Sequence, residues 1–461
     1  MSELISLVAA NKNLLYYDAD QDVTCSFNEL FQTTEVIYTQ QKKIAFLYLD
    51  NSIQSVSAFW NFYKSNHALV LLSAATKAEF KQSLEQLYHP YFIYDTSRSG
   101  IENYSSVKFN SATNVFQCKE DIDLKIDGSI KLLLTTSGTT GSPKLVKLSE
   151  KNLVSNSKSI LEYLPINRDD VTPLNLPVHY SYGLSVLITN SIAGGKIVCT
   201  SKDILQKDFW NDFEKYQYSS LAGVPYVYEI LYRTGFAKKS FSSLRYLTQA
   251  GGKLNESLTN IFSDYARTNK IPFYIMYGQT EATARMSYLD PEYLPKKKLS
   301  IGKPIAGGRF EIDGETHELF YYGENVFGGY ANSPSDLNSY QPQQPLHTGD
   351  TAEIDGDGFY YITGRLKRMI KLFGHRMNLD EIEQSLNEKF SQSSFICTGV
   401  DDKILLIGVK ASVIDEKDIS QFLYSRFAIH PGVICIKQVD QIPLTENKKI
   451  NYSKFIEQHG N

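Results

Sequence analysis

The sequence predicts an α/β protein with a large N-terminal domain of parallel and mixed sheets flanked by helices, followed by a small α+β C-terminal domain. Short apolar runs alternate with helix-period stretches through the first two-thirds of the chain, which is typical of parallel strands joined by crossover helices. The pattern restarts after Gly364 and leaves about 95 residues, enough for a separate small domain. A chain of 461 residues is also too long for one ordinary core.

The N-terminal elements follow in order along the chain. Before the first glycine-rich loop we expect strand, helix, strand, helix and strand at Ile44–Leu49, Ser55–Tyr63, Leu69–Leu72, Lys77–Leu87 and Tyr91–Tyr94. After that loop we expect helix, strand, helix and strand at Lys151–Leu164, Val171–Leu176, Gly183–Ile192 and Lys196–Cys199.

The C-terminal third begins with a loop. Ala331–Pro345 is rich in Ser, Asn, Gln and Pro, a composition that predicts a surface connection or a mobile segment. A helix, a strand and a second helix are then expected at Leu379–Phe390, Lys403–Val409 and Glu416–Phe427. We therefore place the domain border between Arg365 and Leu366, giving domains 1–365 and 366–461.

Composition excludes several classes of function. Lysine and arginine total 47 and acidic residues 51, so charge gives no case for a nucleic-acid or membrane partner. The five cysteines are odd in number and lack C-x-x-C spacing, which disfavours a disulfide scaffold and a zinc site. No signal peptide and no run of membrane-spanning length is visible. These features together predict a cytoplasmic protein.

One loop has the composition of a phosphate-binding site. An apolar strand from Leu132 opens into Thr136, Ser137, Gly138, Thr139, Thr140, Gly141, Ser142, Pro143 and Lys144. Glycines let the backbone approach a ligand, successive amides and hydroxyls bind anions, and Lys144 adds a positive charge. Pro143 precedes the lysine and Leu145 follows it, so the loop is not a Walker motif. A polar surface turn is the alternative.

The nine residues Thr136–Lys144 resemble the signature of the adenylate-forming (AMP-binding) superfamily, which includes acyl-CoA synthetases, peptide-synthetase adenylation domains and luciferases. The resemblance implies an enzyme that uses ATP and Mg²⁺ to convert a carboxylic acid into acyl-AMP. A thiol, either coenzyme A or carrier-protein phosphopantetheine, then displaces AMP. It also implies that the small C-terminal domain is mobile.

Further motifs follow in the order of that superfamily. Tyr277, Gly278, Thr280 and Glu281 come after an apolar run at Ile271–Ile275, a position where α/β proteins place ligand sites. A carboxylate is a hard oxygen donor suited to Mg²⁺. The resemblance implies that Glu281 holds Mg²⁺–ATP and that Thr280 contacts the α-phosphate, as catalytic residues. An isolated Thr-Glu pair would otherwise be an ordinary loop.

Asp350 and Arg365 belong to T-G-D and G-R motifs. A carboxylate can accept both hydroxyls of a ribose, and a guanidinium offers fixed donors to ribose or phosphate. The resemblance implies these nucleotide-binding roles, and a turn residue or a surface ion pair is the alternative.

The next motifs concern the second half-reaction. The resemblance implies that Lys367 is the hinge between an adenylation and a thioester-forming conformation. It also implies that Lys371 and Gly374 belong to the cofactor site, with Gly374 leaving clearance for a pantetheine arm.

Near the C-terminus, the stretch from Pro443 to Ile450 resembles a motif whose lysine reaches the acyl carboxylate and α-phosphate. By register that residue is Lys449. Lys448 occupies the position of the usual glycine, so either lysine could be the one that acts. Gly323–Tyr330 also matches a family stretch, which we interpret as structural.

The acid pocket is less clearly encoded. By resemblance, Pro177–Leu184 supplies pocket residues His179 and Tyr180, while Gly223, Ala250 and Gly252 are small wall residues and Gly251 lies at the nucleotide. His179 could equally be a core histidine. No Asp stands in 177–184 to bind an ammonium group, so a neutral, apolar or aryl acid is expected.

Three functions remain open from the sequence. The preferred one is an acyl- or aryl-CoA ligase, and the second is a stand-alone ligase that loads a separate acyl carrier protein. An inactive nucleotide-binding scaffold is disfavoured because Glu281, Asp350, Arg365 and a C-terminal lysine are all present.

Overall fold

The structure, a computed structural model, describes most of the chain. The described residues are 2–12, 14–31, 37–110, 113–120, 123–135, 144–372, 375–390, 392–400, 404–410, 415–445 and 449–459. The predicted phosphate-loop residues Thr136–Pro143, together with Gly374 and Lys448, lie outside them.

The α-helices of the described residues are α1 Glu3–Ala9, α2 Phe27–Leu30, α3 Ile53–Lys64, α4 Ala78–Tyr88, α5 Glu150–Tyr163, α6 Ser181–Ala193, α7 Lys207–Tyr216, α8 Pro225–Arg233, α9 Glu256–Asn269, α10 Leu379–Lys389, α11 Glu416–Phe427 and α12 Tyr452–His459.

The first strands are β1 Leu15–Asp18, β2 Val23–Ser26, β3 Ile44–Leu49, β4 Ala68–Ser73, β5 Phe92–Tyr94, β6 Tyr104–Lys108, β7 Asn114–Cys118, β8 Leu132–Thr135, β9 Leu145–Leu148, β10 Val171–Pro173, β11 Lys196–Cys199, β12 Ser220–Gly223 and β13 Tyr246–Gln249. The remaining strands are β14 Phe273–Tyr277, β15 Ser287–Leu289, β16 Lys303–Pro304, β17 Arg309–Ile312, β18 Glu318–Tyr322, β19 Tyr330–Ala331, β20 Leu346–Ile354, β21 Tyr360–Arg365, β22 Met369–Leu372, β23 His375–Asn378, β24 Ser394–Val400, β25 Ile404–Lys410 and β26 Ile434–Gln438.

The chain divides into two compact units. The first comprises Met1–Lys298, Gly302–Arg309 and Tyr321–Leu346, and the second comprises Leu299–Ile301, Phe310–Phe320 and His347–Asn461. The domain border expected after Arg365 falls inside the second unit and stays a prediction.

The largest sheet of the first unit has the strand order β19-β9-β8-β4-β3-β5-β7-β6. Its centre is parallel, with β3 between β4 and β5. All six residues of β3 are apolar and buried, as expected for a strand covered on both faces. Helix α3 begins where the Ser52 hydroxyl accepts a hydrogen bond from the amide of Ser55. The predicted α/β class is confirmed.

Two further sheets complete this unit, with the orders β10-β11-β1-β2 and β12-β13-β14-β15-β16. Strands β12, β13 and β14 are parallel neighbours. Their carboxyl ends therefore lie at one edge of the sheet, where open α/β sheets bind ligands. Gly223, Gln249 and Tyr277 end these three strands.

The second unit is built from smaller sheets. The sheet β17-β18-β20-β21 falls almost entirely within it, and the ribbon β22-β23 and the sheet β24-β25-β26 follow. Helices α10 and α11 supply Ile382, Leu386, Ile419 and Leu423 to a core shared with Phe395 of β24.

The loop expected at Ala331–Pro345 has more structure than its composition suggested. Ala331 ends β19, which pairs with β9. A 3-10 helix then spans Pro334–Asn338, and the Asp336 carboxylate accepts hydrogen bonds from the amide and hydroxyl of Ser333. A capping pair of this kind supports a short helix even in a polar segment.

No described helix is both long enough and apolar enough to cross a membrane. The predicted cytoplasmic location stays a prediction.

A mostly buried charge cluster connects several elements of the second unit. The Arg368 guanidinium donates to Asp380 and, at 3.2 Å, to Glu383, whose side chain is 12% exposed. Glu383 also accepts from the Cys397 amide and the Tyr452 hydroxyl, each at 2.9 Å. Burial raises the pKa of Glu383 to about 7, although these partners favour its charged form.

We expect Glu383→Gln to flatten the pH dependence of stability. Between the ordinary pKa of 4.5 and about 7, the folded unit keeps a proton that the unfolded chain has released, so stability falls as pH rises through that window. Urea unfolding followed by circular dichroism between about pH 5 and pH 8 measures this slope. Glu388→Gln, an exposed change on α10, should keep the wild-type slope. An unchanged slope in Glu383→Gln would contradict the assignment.

Candidate active site

The predicted catalytic residues directly follow a buried parallel strand. Strand β14 buries Phe273–Met276 and ends at half-buried Tyr277. A 3-10 helix at Thr280–Ala282 follows and presents Thr280 and Glu281, both half-buried. This is the strand-to-loop position that the sequence predicted.

The turn after Glu281 is strained. Thr283 has a φ of 57° and Ala284 a φ of 104°, although neither is glycine. Asn325 holds this turn, because its side-chain amide donates to the carbonyls of Ala282 and Arg285 at 2.7 and 2.8 Å. The Thr283 hydroxyl in turn donates to the Asn325 carbonyl at 2.6 Å. The turn is thus fixed from both sides.

Gly278 is required by this turn. A Cβ at Gly278 would lie 2.0 Å from the Ala284 carbonyl oxygen, closer than any real contact. The backbone of residues 278 and 284 therefore approaches to a distance that only glycine permits.

Tyr330 links two predicted ligand-binding residues. Its hydroxyl donates to the Glu281 carboxylate at 2.8 Å, and the Lys144 amino group lies 5.5 Å from the centre of its ring. Burial and the neighbouring carboxylate raise the pKa of the Tyr330 phenol, so it remains a donor at neutral pH. From the sequence, the stretch that ends at Tyr330 was interpreted as structural only.

The small residues expected to line the acid pocket come together at the edge of the sheet. The Ala250 amide donates to the Gly223 carbonyl at 3.2 Å. A Cβ at Gly223 would lie 2.7 Å from the Tyr228 ring, and one at Gly252 would lie 3.1 Å from Pro225. Gly251 has a φ of 82°. Side chains at Gly223 and Gly252 would meet residues of α8, so these glycines let α8 pack closely against the edge of the sheet.

The first turn of α6 connects this edge to Thr280. Tyr180 precedes the helix, and the hydroxyls of Ser181 and Thr280 are 3.4 Å apart. The Tyr182 hydroxyl donates to the Thr248 hydroxyl at 2.8 Å. Helix α6 therefore contacts both β13 and the Thr280 turn.

Three buried polar atoms near these segments have no hydrogen-bond partner among the described residues. They are His179 Nδ1, Gln249 Oε1 and Gln279 Nε2. Burial lowers the pKa of His179 to about 4, so its ring is neutral at pH 7. Unpartnered buried polar atoms are rare in folded proteins and are candidates to contact a ligand.

In the second unit, two separately predicted residues form a direct pair. Asp350 and Arg365 are cross-strand neighbours on β20 and β21. The Arg365 Nε donates to the Asp350 carboxylate at 3.0 Å, and the arginine is 60% exposed where the aspartate is 11% exposed. Their pairing brings a carboxylate and a guanidinium to one place, as a ribose site needs.

The remaining predicted residues of this unit lie on separate elements. Lys367 is exposed in a 3-10 helix at Leu366–Arg368, and Lys371 is exposed on β22. The Lys449 carbonyl accepts a hydrogen bond from the Thr445 amide at 2.7 Å, and Leu444 pairs with Ile450.

Sequence reasoning missed Arg285 and Asn325. Asn325 lies in the stretch Gly323–Tyr330, and its position in that stretch did not indicate hydrogen bonds to residues 282–285. Arg285 stands between apolar residues in the run Ala284–Met286. An arginine flanked by apolar residues is the sequence signal from which a buried charge could have been predicted.

Comparisons with known proteins agree with the class that fold and site define, an adenylate-forming enzyme. A model of the family described as AMP-binding enzyme matches residues 40–331, well over half of the chain. The protein therefore belongs to the AMP-binding enzyme family. The predicted class of enzyme, an AMP-forming acid–thiol ligase, is confirmed.

The chain is similar to several CoA ligases. Identity is 25% to oxalate–CoA ligase of Arabidopsis thaliana, covering 79% of this chain and 76% of that protein. It is 24% to 2-succinylbenzoate–CoA ligase of Staphylococcus epidermidis, covering 96% and 95%. It is 26% to feruloyl-CoA synthase of Amycolatopsis sp, covering 72% and 70%.

A similar solved structure shows the same fold. O-succinylbenzoate coenzyme A synthetase from Bacillus subtilis, in complex with ATP and magnesium ion, has a TM-score of 0.77 at 19% identity. The alignment covers 98% of each chain.

We expect Gly278→Ala to destabilise the protein by about 1–3 kcal/mol, because the added methyl group meets the Ala284 carbonyl. The free energy of unfolding from urea titration measures the effect. Gly128→Ala is the matched control, since a Cβ there meets nothing within 4 Å. Equal stability of both variants would show that the turn yields easily.

Proposed function

We propose that the protein uses Mg²⁺ and ATP to activate a small carboxylic acid as acyl-AMP, and then transfers the acyl group to coenzyme A. The observation that carries the proposal is the position of Thr280 and Glu281, which follow the carboxyl end of β14 at the same edge of the sheet as Gly223 and Ala250. The relatives named as CoA ligases support the choice of thiol.

In the first half-reaction a carboxylate oxygen of the acid attacks the α-phosphorus, and pyrophosphate leaves. The protein's task is positioning and charge stabilisation rather than covalent chemistry. Glu281 is a hard oxygen ligand suited to Mg²⁺, which when bound neutralises phosphate charge. Thr280 would donate to the α-phosphate, and Lys449 would supply positive charge to the developing transition state.

The nucleotide needs further contacts. Residues Thr136–Lys144 are proposed to bind its phosphates, with Tyr277, Gly278 and Gly251 at the nucleotide. The Asp350 carboxylate, already oriented by Arg365, is suited to accept the two ribose hydroxyls.

In the second half-reaction the thiol attacks the acyl carbonyl and AMP leaves. Lys367 is proposed as the hinge of the conformational change between the steps. Lys371 and Gly374 are proposed contacts of the pantetheine arm.

The acid itself is a small molecule whose carboxylate faces the edge formed by Gly223, Ala250 and Gly252. His179 and Tyr180 are proposed to border it. Two of the relatives are named for acids that carry two carboxylates, oxalate and 2-succinylbenzoate.

Pyrophosphate exchange tests the proposal. Purified protein, ATP and Mg²⁺ are incubated with labelled pyrophosphate and a panel of monocarboxylic and dicarboxylic acids. We expect exchange into ATP that depends on the acid, and acyl-CoA when coenzyme A is added. Absence of exchange with every acid would refute the function. Transfer only to a carrier protein would instead identify the alternative acceptor.

We expect Tyr330→Phe to raise the half-saturating Mg²⁺ concentration about tenfold, because Glu281 loses the donor that orients its carboxylate. Exchange measured across a Mg²⁺ titration gives the half-saturating concentration. Tyr232→Phe changes an exposed tyrosine of the same unit and should behave as wild type. An unaltered titration in Tyr330→Phe would remove the residue from the site.

We expect Lys449→Ala to slow adenylation by about 100-fold or more, since one positive charge is lost from the transition state. Thioester formation from supplied acyl-AMP should be preserved. Lys448→Ala decides which lysine acts, and Lys437→Ala serves as a control at an exposed lysine. Equal loss of both half-reactions would argue against a role limited to the first.

A further inference from the structure

Arg285 is a buried cation without an acidic partner among the described residues. Arg285 is only 3% exposed to solvent. The other described arginines that are at least partly buried each pair with a carboxylate: Arg98 with Asp95 and Glu85, Arg245 with Asp170, and Arg368 with Asp380 and Glu383. A charge taken out of water without such a partner is costly.

The contacts of the Arg285 guanidinium are weak replacements for a carboxylate. Nη1 donates to the Ala284 carbonyl at 3.2 Å, Nη2 lies 3.4 Å from the Ser185 hydroxyl, and Nε lies 3.4 Å from the Met276 sulfur. The group also stacks 4.1 Å from the centre of the Tyr182 ring. The Tyr163 hydroxyl is a further hydrogen-bond partner. A guanidinium has five N–H donors in a fixed fork, and none of these neutral contacts supplies the two anionic acceptors of a carboxylate.

Arg285 is connected to the proposed acid site at two points. Tyr182, which stacks on it, donates through its hydroxyl to Thr248 on β13, two residues before Ala250. The Asn325 amide that holds the Arg285 carbonyl also holds the carbonyl of Ala282, next to Glu281. The guanidinium is thereby fixed relative to both the catalytic turn and the pocket wall.

We propose that Arg285 binds a second, distal carboxylate of the acid, so that the substrate class is a dicarboxylic acid. This inference rests on the proposed function and replaces the neutral, apolar or aryl acid expected from the sequence. One carboxylate reacts with ATP, and the other neutralises the Arg285 charge through two parallel hydrogen bonds. A monocarboxylic acid of the same length would leave that charge uncompensated.

Matched pairs of acids test the proposal on the wild-type enzyme. Each pair joins a dicarboxylic acid to a monocarboxylic acid of equal length, such as adipate with hexanoate and phthalate with 2-methylbenzoate. We expect a kcat/KM in pyrophosphate exchange that is at least about 10-fold higher for the dicarboxylic member of the best pair. Preference for the monocarboxylic member in every pair overturns the inference.

Substitutions test the residue itself. Arg285→Met keeps the length of the side chain and removes its charge, and it should abolish or reverse the preference while monocarboxylic acids remain substrates. Arg285→Lys retains a positive charge and should restore part of the preference. The control is Arg267→Met, which changes an arginine of the same unit whose side chain is 76% exposed; its preference should equal that of wild type.

The possible outcomes separate the two proposals. Exchange with monocarboxylic acids alone keeps the proposed function and refutes the dicarboxylic substrate. A dicarboxylic preference that survives in Arg285→Met refutes the role of Arg285. Absence of exchange with any acid refutes the proposed function and this inference together. If Arg285→Met does not fold, the wild-type pairs and Arg285→Lys still decide.

Discussion

The hydrogen bonds between residues 281–285 and residues 325–330 are the interaction on which the proposed site depends. Asn325 and Thr283 fix the strained turn from its two sides. The Phe327 amide donates to the Glu281 carbonyl at 2.8 Å, and Tyr330 binds the Glu281 carboxylate. Two consecutive non-glycine residues at positive φ persist only where the surroundings over-determine them, and these contacts do so.

The turn at residues 281–285 carries charges of opposite sign at its two ends. Glu281 is suited to a cation near the phosphates, and Arg285 is suited to an anion at the far end of the acid. Helix α6 contacts Thr280 through Ser181 and Arg285 through Tyr182. A rigid spacing between these groups would set the length of acid that fits.

Much of the fold could be predicted because its signals are local. Strand β3 is apolar at each position and therefore buried on both faces, and Thr280 and Glu281 follow directly from a strand and a motif. Arg285 could not be placed, because whether an arginine finds a carboxylate depends on side chains distant in sequence. The pairing of Asp350 with Arg365 also depends on a register that shifts between Thr351 and Ala352, which no sequence period reveals.

The stretch Gly323–Tyr330 contributes no ligand to the proposed reaction, yet Phe327 and Tyr330 bind Glu281, and Asn325 binds the Arg285 carbonyl. Residues 281–285 and 323–330 are about forty residues apart in the chain, yet their contacts couple them, so protein engineering should exchange them together. A chimera that imports residues 273–289 from a relative to change the acid should import residues 323–330 from the same relative. Exchange of either segment alone would combine a turn from one protein with hydrogen-bonding residues from another, and their contacts would not match.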